Sequence, residues 1–139
     1  MGIWIVSSTA APLLVGHTLV TKVMMTVLFR AKTTAAATSE EEASKIFDSQ
    51  RYKRISSTQL NEAEYSALLV ACTCYLAVKG VAAPVASTLA VFGQVWYFWV
   101  RAFVGNSHEG GMDPPPYIPG ALSRYFAVGL LAYEMYKLA

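Results

Sequence analysis

Apolar residues fall in four blocks along the chain, at roughly residues 3–29, 63–78, 81–104 and 118–138, with polar stretches between them. A helix needs about 20 predominantly apolar residues to cross a bilayer, so the pattern predicts four spanning helices. The first block is softened by Ser7, Ser8, Thr9, Thr18 and Thr21 and interrupted by His17 and Lys22. Between the second and third blocks stands Lys79-Gly80, with Pro84 just beyond. That is a short turn, and it predicts an antiparallel hairpin. The connection from Gly105 to Pro116 is rich in glycine and ends in three prolines, which favour an extended stretch. Pro119 then suits the first turn of the last helix. The longest polar segment covers residues 30–62. In it, Ser39 followed by Glu40, Glu41 and Glu42 reads as an N-cap with an acidic first turn, a solvated helix start. Residues 45–55 suit a short helix or a helical extension of the second span.

Composition sharpens the class. The chain is 55% hydrophobic and 14% charged, against about 25% charged in a soluble domain. That excludes a disordered tail, a coiled coil and a typical soluble enzyme. The 139 residues make one four-span domain. A net charge of +2 with no basic stripe gives no case for nucleic acid. A signal peptide is a poor reading, since no basic residue precedes the first apolar run. Val6 also breaks the myristoylation pattern. Cys72 and Cys74 lie inside one block and form no disulfide framework, and neither His17 nor His108 stands at metal-ligand spacing from them. No metal is expected.

Charge also orients the spans. Arg30, Lys32, Lys45, Arg51, Lys53, Arg54, Arg101 and Arg124 belong to one face, and only Lys79 and Lys137 to the other. The positive-inside rule puts the two long loops on the cytosolic or equivalent side, with both termini opposite. Trp96, Tyr97, Phe98 and Trp99 suit an aromatic belt at the loop end of the third helix.

The polar residues ask for more than an anchor, because charge in hydrocarbon is costly. Asn61, Glu64 and Tyr65 share a helix face, which Leu68 and Cys72 continue inward. An acid, an amide and a phenol at the mouth of a span could bind a zwitterionic ligand, with Arg51 or Arg54 meeting its carboxylate. Equally, Asn61 with Glu64 could be a helix N-cap with its N3 acid. Gln94, Tyr97 and Arg101 form a second face, unless Arg101 merely snorkels and Tyr97 joins the belt. His17 and Lys22 pack against other helices or snorkel, and His17 could enter an interhelical hydrogen bond. Glu64 is expected at a buried helix contact, paired with Arg54, Tyr97 or Arg101 of its own or a neighbouring subunit.

The stretch Gln59-x-Asn61-x-x-Glu64-Tyr65 resembles the second-helix motif of the MAPEG family, the membrane-associated proteins of eicosanoid and glutathione metabolism. Leu76 to Gly80, Pro84, Gly93 to Tyr97 and Gly120 to Ser123 are similar to the microsomal glutathione transferase 3 branch. The resemblance covers most of the chain and is weakest over the first helix and the long loop. It implies an all-α, integral membrane four-helix bundle, generally a homotrimer, in the endoplasmic reticulum or another organelle membrane, mitochondrial and thylakoid membranes included. It implies glutathione as co-substrate between subunits near the cytosolic face. By resemblance Gln59, Asn61, Glu64 and Tyr65 bind glutathione, while Tyr97 faces the site from the third helix; Arg54 and Arg101 are expected to join them as its cations. An arginine near the thiol would favour the thiolate.

The chain departs from the family pattern where basic residues are usual. Ser56, Ser57 and Thr58 precede the motif, Gln94 follows Gly93, and the loop before the fourth helix is Gly-, Pro- and acid-containing. Arg101 is the expected substitute for the cation missing at Gln94. Two functions stay open. One is a glutathione transferase or peroxidase acting on lipophilic electrophiles or lipid hydroperoxides. The other is a non-catalytic lipid-binding or scaffold subunit of a larger membrane complex.

Overall fold

A computed structural model describes residues 4–104 and 114–139, and every regular element among them is helical. Helix α1 runs Ser7–Ala36. It is α-helical over Ser7–Val23, winds in wider i→i+5 turns over Met24–Ala31 and ends in an α-turn at Lys32–Ala36. The others are α2, Glu40–Phe47; α3, Gln50–Val78; α4, Pro84–Trp99, prolonged by wide turns over Val100–Val104; and α5, Ile118–Tyr136. By length and composition, α1 is a helix that can cross a membrane. The expectations for Gly105 to Asp113, His108 included, and for the first residues of the first span lie outside the described residues.

The local signals act as their chemistry requires. Ser39 Oγ accepts from the Glu42 backbone N–H at 3.2 Å, so it caps α2 ahead of three glutamates. Ser49 caps α3 in the same way. Pro84 and Pro119 stand in the first turns of α4 and α5, where an N–H is dispensable. The hairpin turns at Gly80, whose φ of 72° is left-handed. Segment 30–62 is largely helical, and α3 begins at Gln50, so the N-cap reading of Asn61 fails: that residue lies mid-helix.

The helices alternate in direction. At one end Met25, Ile55 and Ala102 pack together, joining the far part of α1 to the start of α3 and the end of α4. At the other end the Ser7 N–H donates to Ala82 O at 2.8 Å, Ser7 Oγ donates to Val81 O, and the Ile5 N–H donates to Thr88 Oγ1 at 3.0 Å. The apolar core there is built of Leu14, Leu69, Leu76, Ala86, Ala90 and Leu131. Its alanines let helix axes approach closely.

The closest approach is between α4 and α5. A Cβ at Gly93 would lie 2.7 Å from Arg124 Cγ, and one at Gly120 would lie 2.6 Å from the Tyr97 backbone nitrogen. Only hydrogen fits at either point. That crossing sets the position of the polar residues around it.

Candidate anion-binding site

Arg124 lies one turn beyond Gly120 on the same face of α5, so the glycine crossing presses it into the bundle. Its side chain is 1% exposed. Nη1 donates to Gln94 Oε1 and Nη2 to Asn61 Oδ1, each at 3.1 Å. The guanidinium carbon lies 3.5 Å from the Tyr97 ring centroid and 4.3 Å from that of Tyr65, within cation–π range. Among the described residues its Nε has no acceptor, and no carboxylate forms an ion pair with it. A buried cation held by two amide oxygens and two aromatic faces is set up to receive an anion.

Beside it, Glu62 is fully buried. Its Oε1 accepts from Thr18 Oγ1 at 2.8 Å, from Ser66 Oγ at 3.0 Å and from His17 Nδ1 at 3.0 Å, and its Oε2 accepts from Thr21 Oγ1 at 3.1 Å. Gln94 ties the two groups together. Its Nε2 donates to Ser66 Oγ at 2.7 Å and to the Glu62 backbone carbonyl at 2.9 Å, which leaves its oxygen aimed at Arg124.

Asn61, Tyr65 and Tyr97 therefore meet, as expected, and they meet around Arg124. Tyr97 is buried and not part of a belt; Phe98 is buried too, while Trp96 and Trp99 are exposed. Trp96 Nε1 donates to Pro116 O at 3.0 Å. Arg101 joins at second hand: its Nη1 donates to the Tyr97 hydroxyl, and its guanidinium carbon lies 5.7 Å from the Tyr117 ring centroid. Arg124, and not Arg101, is the cation that touches Gln94. Gln59 is buried on α3 with its Nε2 unsatisfied among the described residues. Arg54 is half-buried, and its backbone carbonyl accepts from Thr58 Oγ1 at 2.7 Å.

Glu64 departs from expectation. It is exposed and, among the described residues, unpaired, and Leu68 on the same face is exposed too. The inward face of α3 is Ile55, Thr58, Gln59, Glu62, Ser66 and Leu69, so Glu62 is the buried acid; Glu64 and Leu68 turn outward, and Asn61 lies half-buried at the border with its oxygen on Arg124. A cavity of about 290 Å³ lies on that side, lined by Glu64, Tyr65, Leu68, Tyr125 and Val128. Tyr65 thus stands between this cavity and Arg124. A larger cavity of about 410 Å³, lined by Val15, Thr18, Leu19, Lys22, Ala63 and Ser66 among others, lies between α1 and α3.

The expected interhelical hydrogen bond of His17 is present, with Glu62 on α3 as its partner. Glu62 as the buried acid, Gln94 as an acceptor and Arg124 as the central cation were not read from the sequence. One signal was available: Arg124 follows Gly120 at i+4, and Gly93 adjoins Gln94, so two glycines that permit close approach each precede a polar residue. In comparisons with known proteins the chain matches no family model, no curated protein and no solved structure.

Proposed function

We propose that the chain is a MAPEG-like four-helix membrane protein whose Arg124 site takes the anionic end of glutathione and acts on lipophilic electrophiles or lipid hydroperoxides. The observation that carries the reading is the buried, carboxylate-free guanidinium of Arg124 between Asn61, Gln94, Tyr65 and Tyr97. The family resemblance lacked a cation beside Gly93, and Arg124 supplies one from the next helix at that level. The membrane reading is supported by an exterior studded with large apolar side chains, among them Leu13, Leu19, Phe92, Val95, Phe126 and Leu130, around a polar interior.

In this reading Arg124 favours the thiolate over the thiol, since a nearby cation stabilises the anion, and guanidinium keeps its charge throughout. The thiol proton leaves to solvent, and the thiolate attacks the electrophile, forming a C–S bond as the leaving group departs with its electron pair. With a hydroperoxide it attacks the terminal oxygen, the O–O bond breaks, the alkoxide takes a proton from solvent, and a second glutathione converts the sulfenic acid to disulfide and water. Asn61 and Gln94 hold the guanidinium plane through its two terminal nitrogens. The cavity behind Tyr65 gives a route to the site, and the exposed Glu64 is free to meet the amine of the tripeptide. Arg101 acts through the Tyr97 hydroxyl. Gln59 and Arg54 lie on the same helix toward the loop end, and in a homotrimer of the family's kind they would add to an intersubunit site.

A second reading is a lipid-binding or scaffold subunit without catalysis. It is favoured by the near-complete enclosure of Arg124 and by the apolar cavity between α1 and α3. Ultraviolet absorbance of thiolate on adding glutathione to purified, assembled protein separates the two. The enzyme reading expects a thiolate signal that Arg124→Gln abolishes and that Arg101→Ala only weakens. Folded protein with no thiolate signal and no glutathione-dependent turnover leaves the second reading.

A further inference from the structure

Glu62 and His17 are not needed to contact a ligand at Arg124, yet they form the most elaborate polar centre in the bundle. The carboxylate receives four hydrogen bonds, three from hydroxyls and one from the imidazole. His17 is largely buried as well, with the rings of Phe98 and Trp99 steeply inclined to its own at centroid distances of 5.8 and 6.4 Å. With Nδ1 turned to Glu62, its Nε2 is buried and without a partner among the described residues. That nitrogen is where a second proton would go.

The centre is wired to Arg124 by one continuous hydrogen-bonded path. Ser66 donates to Glu62, Gln94 donates to Ser66, and Arg124 donates to Gln94. Such chains polarise cooperatively, and charges separated by protein and not by water act on one another strongly. The other charged and titratable groups lie elsewhere. Lys22 is exposed further along α1, Glu64 points outward from α3, and Tyr97 with Arg101 lies on the far side of Arg124. From α4 the pair is faced by Gln94, Phe98 and Trp99, and from α5 by Arg124 across Gln94.

We propose that Glu62 and His17 form a proton-binding site linked to the anion site, so that a proton taken up by His17 cancels the Glu62 charge and tightens the hold of Arg124 on its anion. With His17 neutral, the Glu62 carboxylate offsets Arg124 and opposes an incoming negative group. With His17 protonated, Glu62 is balanced locally and Arg124 faces the ligand uncompensated. By reciprocity an anion that neutralises Arg124 makes His17 easier to protonate, so binding draws in a proton. The proposal rests on the anion site described above, but not on the anion being glutathione.

Calorimetric titration of the detergent-solubilised protein tests it, in pairs of buffers that differ in ionisation enthalpy. The probes are benzenesulfonate and glutathione sulfonate, both of which keep their sulfonate charge throughout. The expected result is net proton uptake on binding and an affinity about threefold or more higher near pH 5.5 than near pH 8. His17→Gln should remove the uptake and flatten the pH profile at the weaker value. Glu62→Gln should flatten it at the tighter value, a gain that structural damage would not produce; Gln94 stays anchored because it holds the residue 62 backbone carbonyl. Wild-type protein that binds benzenesulfonate without proton uptake overturns the proposal whatever the variants do. Uptake with benzenesulfonate but no binding of glutathione sulfonate leaves the linkage standing and removes the glutathione reading. If folded protein binds neither, both fall.

Discussion

Arg124 is a single side chain on which the polar interior converges, and its neighbours dictate how it tolerates change. Lysine keeps the charge but cannot reach Gln94 and Asn61 with two nitrogens at once. Arg124→Lys should weaken sulfonate binding at least about tenfold, the scale of losing one charge-assisted hydrogen bond, with assembly retained on size-exclusion chromatography. Gln94→Arg would place a second guanidinium against the first in a buried layer, and an uncompensated buried charge costs about 3 kcal/mol or more. Its thermal midpoint should fall well below that of the double variant Gln94→Arg with Arg124→Gln, which restores one cation at that level. The sequence showed polar residues of the right kinds on α3, α4 and α5, but not which of them met. Glu62 and Glu64 are two positions apart on one helix, and although only Glu64 belongs to the motif, packing decides which acid turns inward. At the surface, Glu42 gives a simpler case. Its carboxyl is held below the usual carboxylate range by hydrogen bonds from the Thr38 hydroxyl and backbone N–H. The ionised form is the one stabilised, so this contact is intact above the ordinary glutamate value and lost as pH falls through the lowered one. Amide exchange at Thr38 should accelerate in that acid range and not between neutral and mildly alkaline pH, once the intrinsic rate is divided out.

Among the helices, the pairing of α4 with α5 depends most on residue size. Gly93 meets the root of the Arg124 side chain and the backbone of Arg124 and Gly120, and Gly120 meets the Tyr97 backbone and the Trp96 ring, none of them a flexible side-chain end. Alanine at Gly120 would force the axes apart, at a cost of about 1–3 kcal/mol for overpacking. The same shift would draw Arg124 away from Asn61, so Gly120→Ala should lower thermal stability and anion affinity together, whereas Gly129→Ala, with open space around it, should change neither. Element boundaries set by local chemistry were legible in the chain: the Ser39 cap, the Gly80 turn, and Pro119 in a first turn. The early start of α3 was legible only as one option, because Tyr52, Ile55 and Thr58 become an inward face only once Met25 and Ala102 are there to cover them. The wide turns at Met24–Ala31 and Val100–Val104 left no mark in the sequence pattern, since no glycine or proline lies in either stretch.

For the whole molecule, alternating directions place segment 37–49, the end of α4 and the start of α5 at one end of the bundle and the Gly80 turn at the other. In a variant lacking Cys72 and Cys74, cysteines introduced at Ser39 and Pro114 should react with an impermeant thiol reagent from one face of sealed vesicles, and a cysteine at Lys79 from the other. Labelling of Ser39→Cys and Pro114→Cys from opposite faces would refute the four-span reading. The number of helical blocks was visible because apolar length is a property of composition. The number of subunits was not, since neither the outward apolar residues nor the exposed Glu64 distinguishes lipid from a neighbouring copy by residue type alone.

The bond from Ser7 to Ala82 also has a consequence for biogenesis. The start of α1 leaves the ribosome before its anchor, which is made some seventy residues later in the chain. Among the described helices α1 alone has the length and hydropathy to enter a bilayer by itself, while α3 carries Gln59, Glu62 and Ser66 on the face it must hide. In the four-span reading α1 therefore waits in the membrane unlatched, with Thr18 and Thr21 yet to meet the Glu62 carboxylate. Arg124, on the last of these helices to be made, completes the polar layer. A chain cut short before α5 would leave Gln94 and Asn61 without their cation, and in that reading such a nascent chain is a ready substrate for membrane quality control.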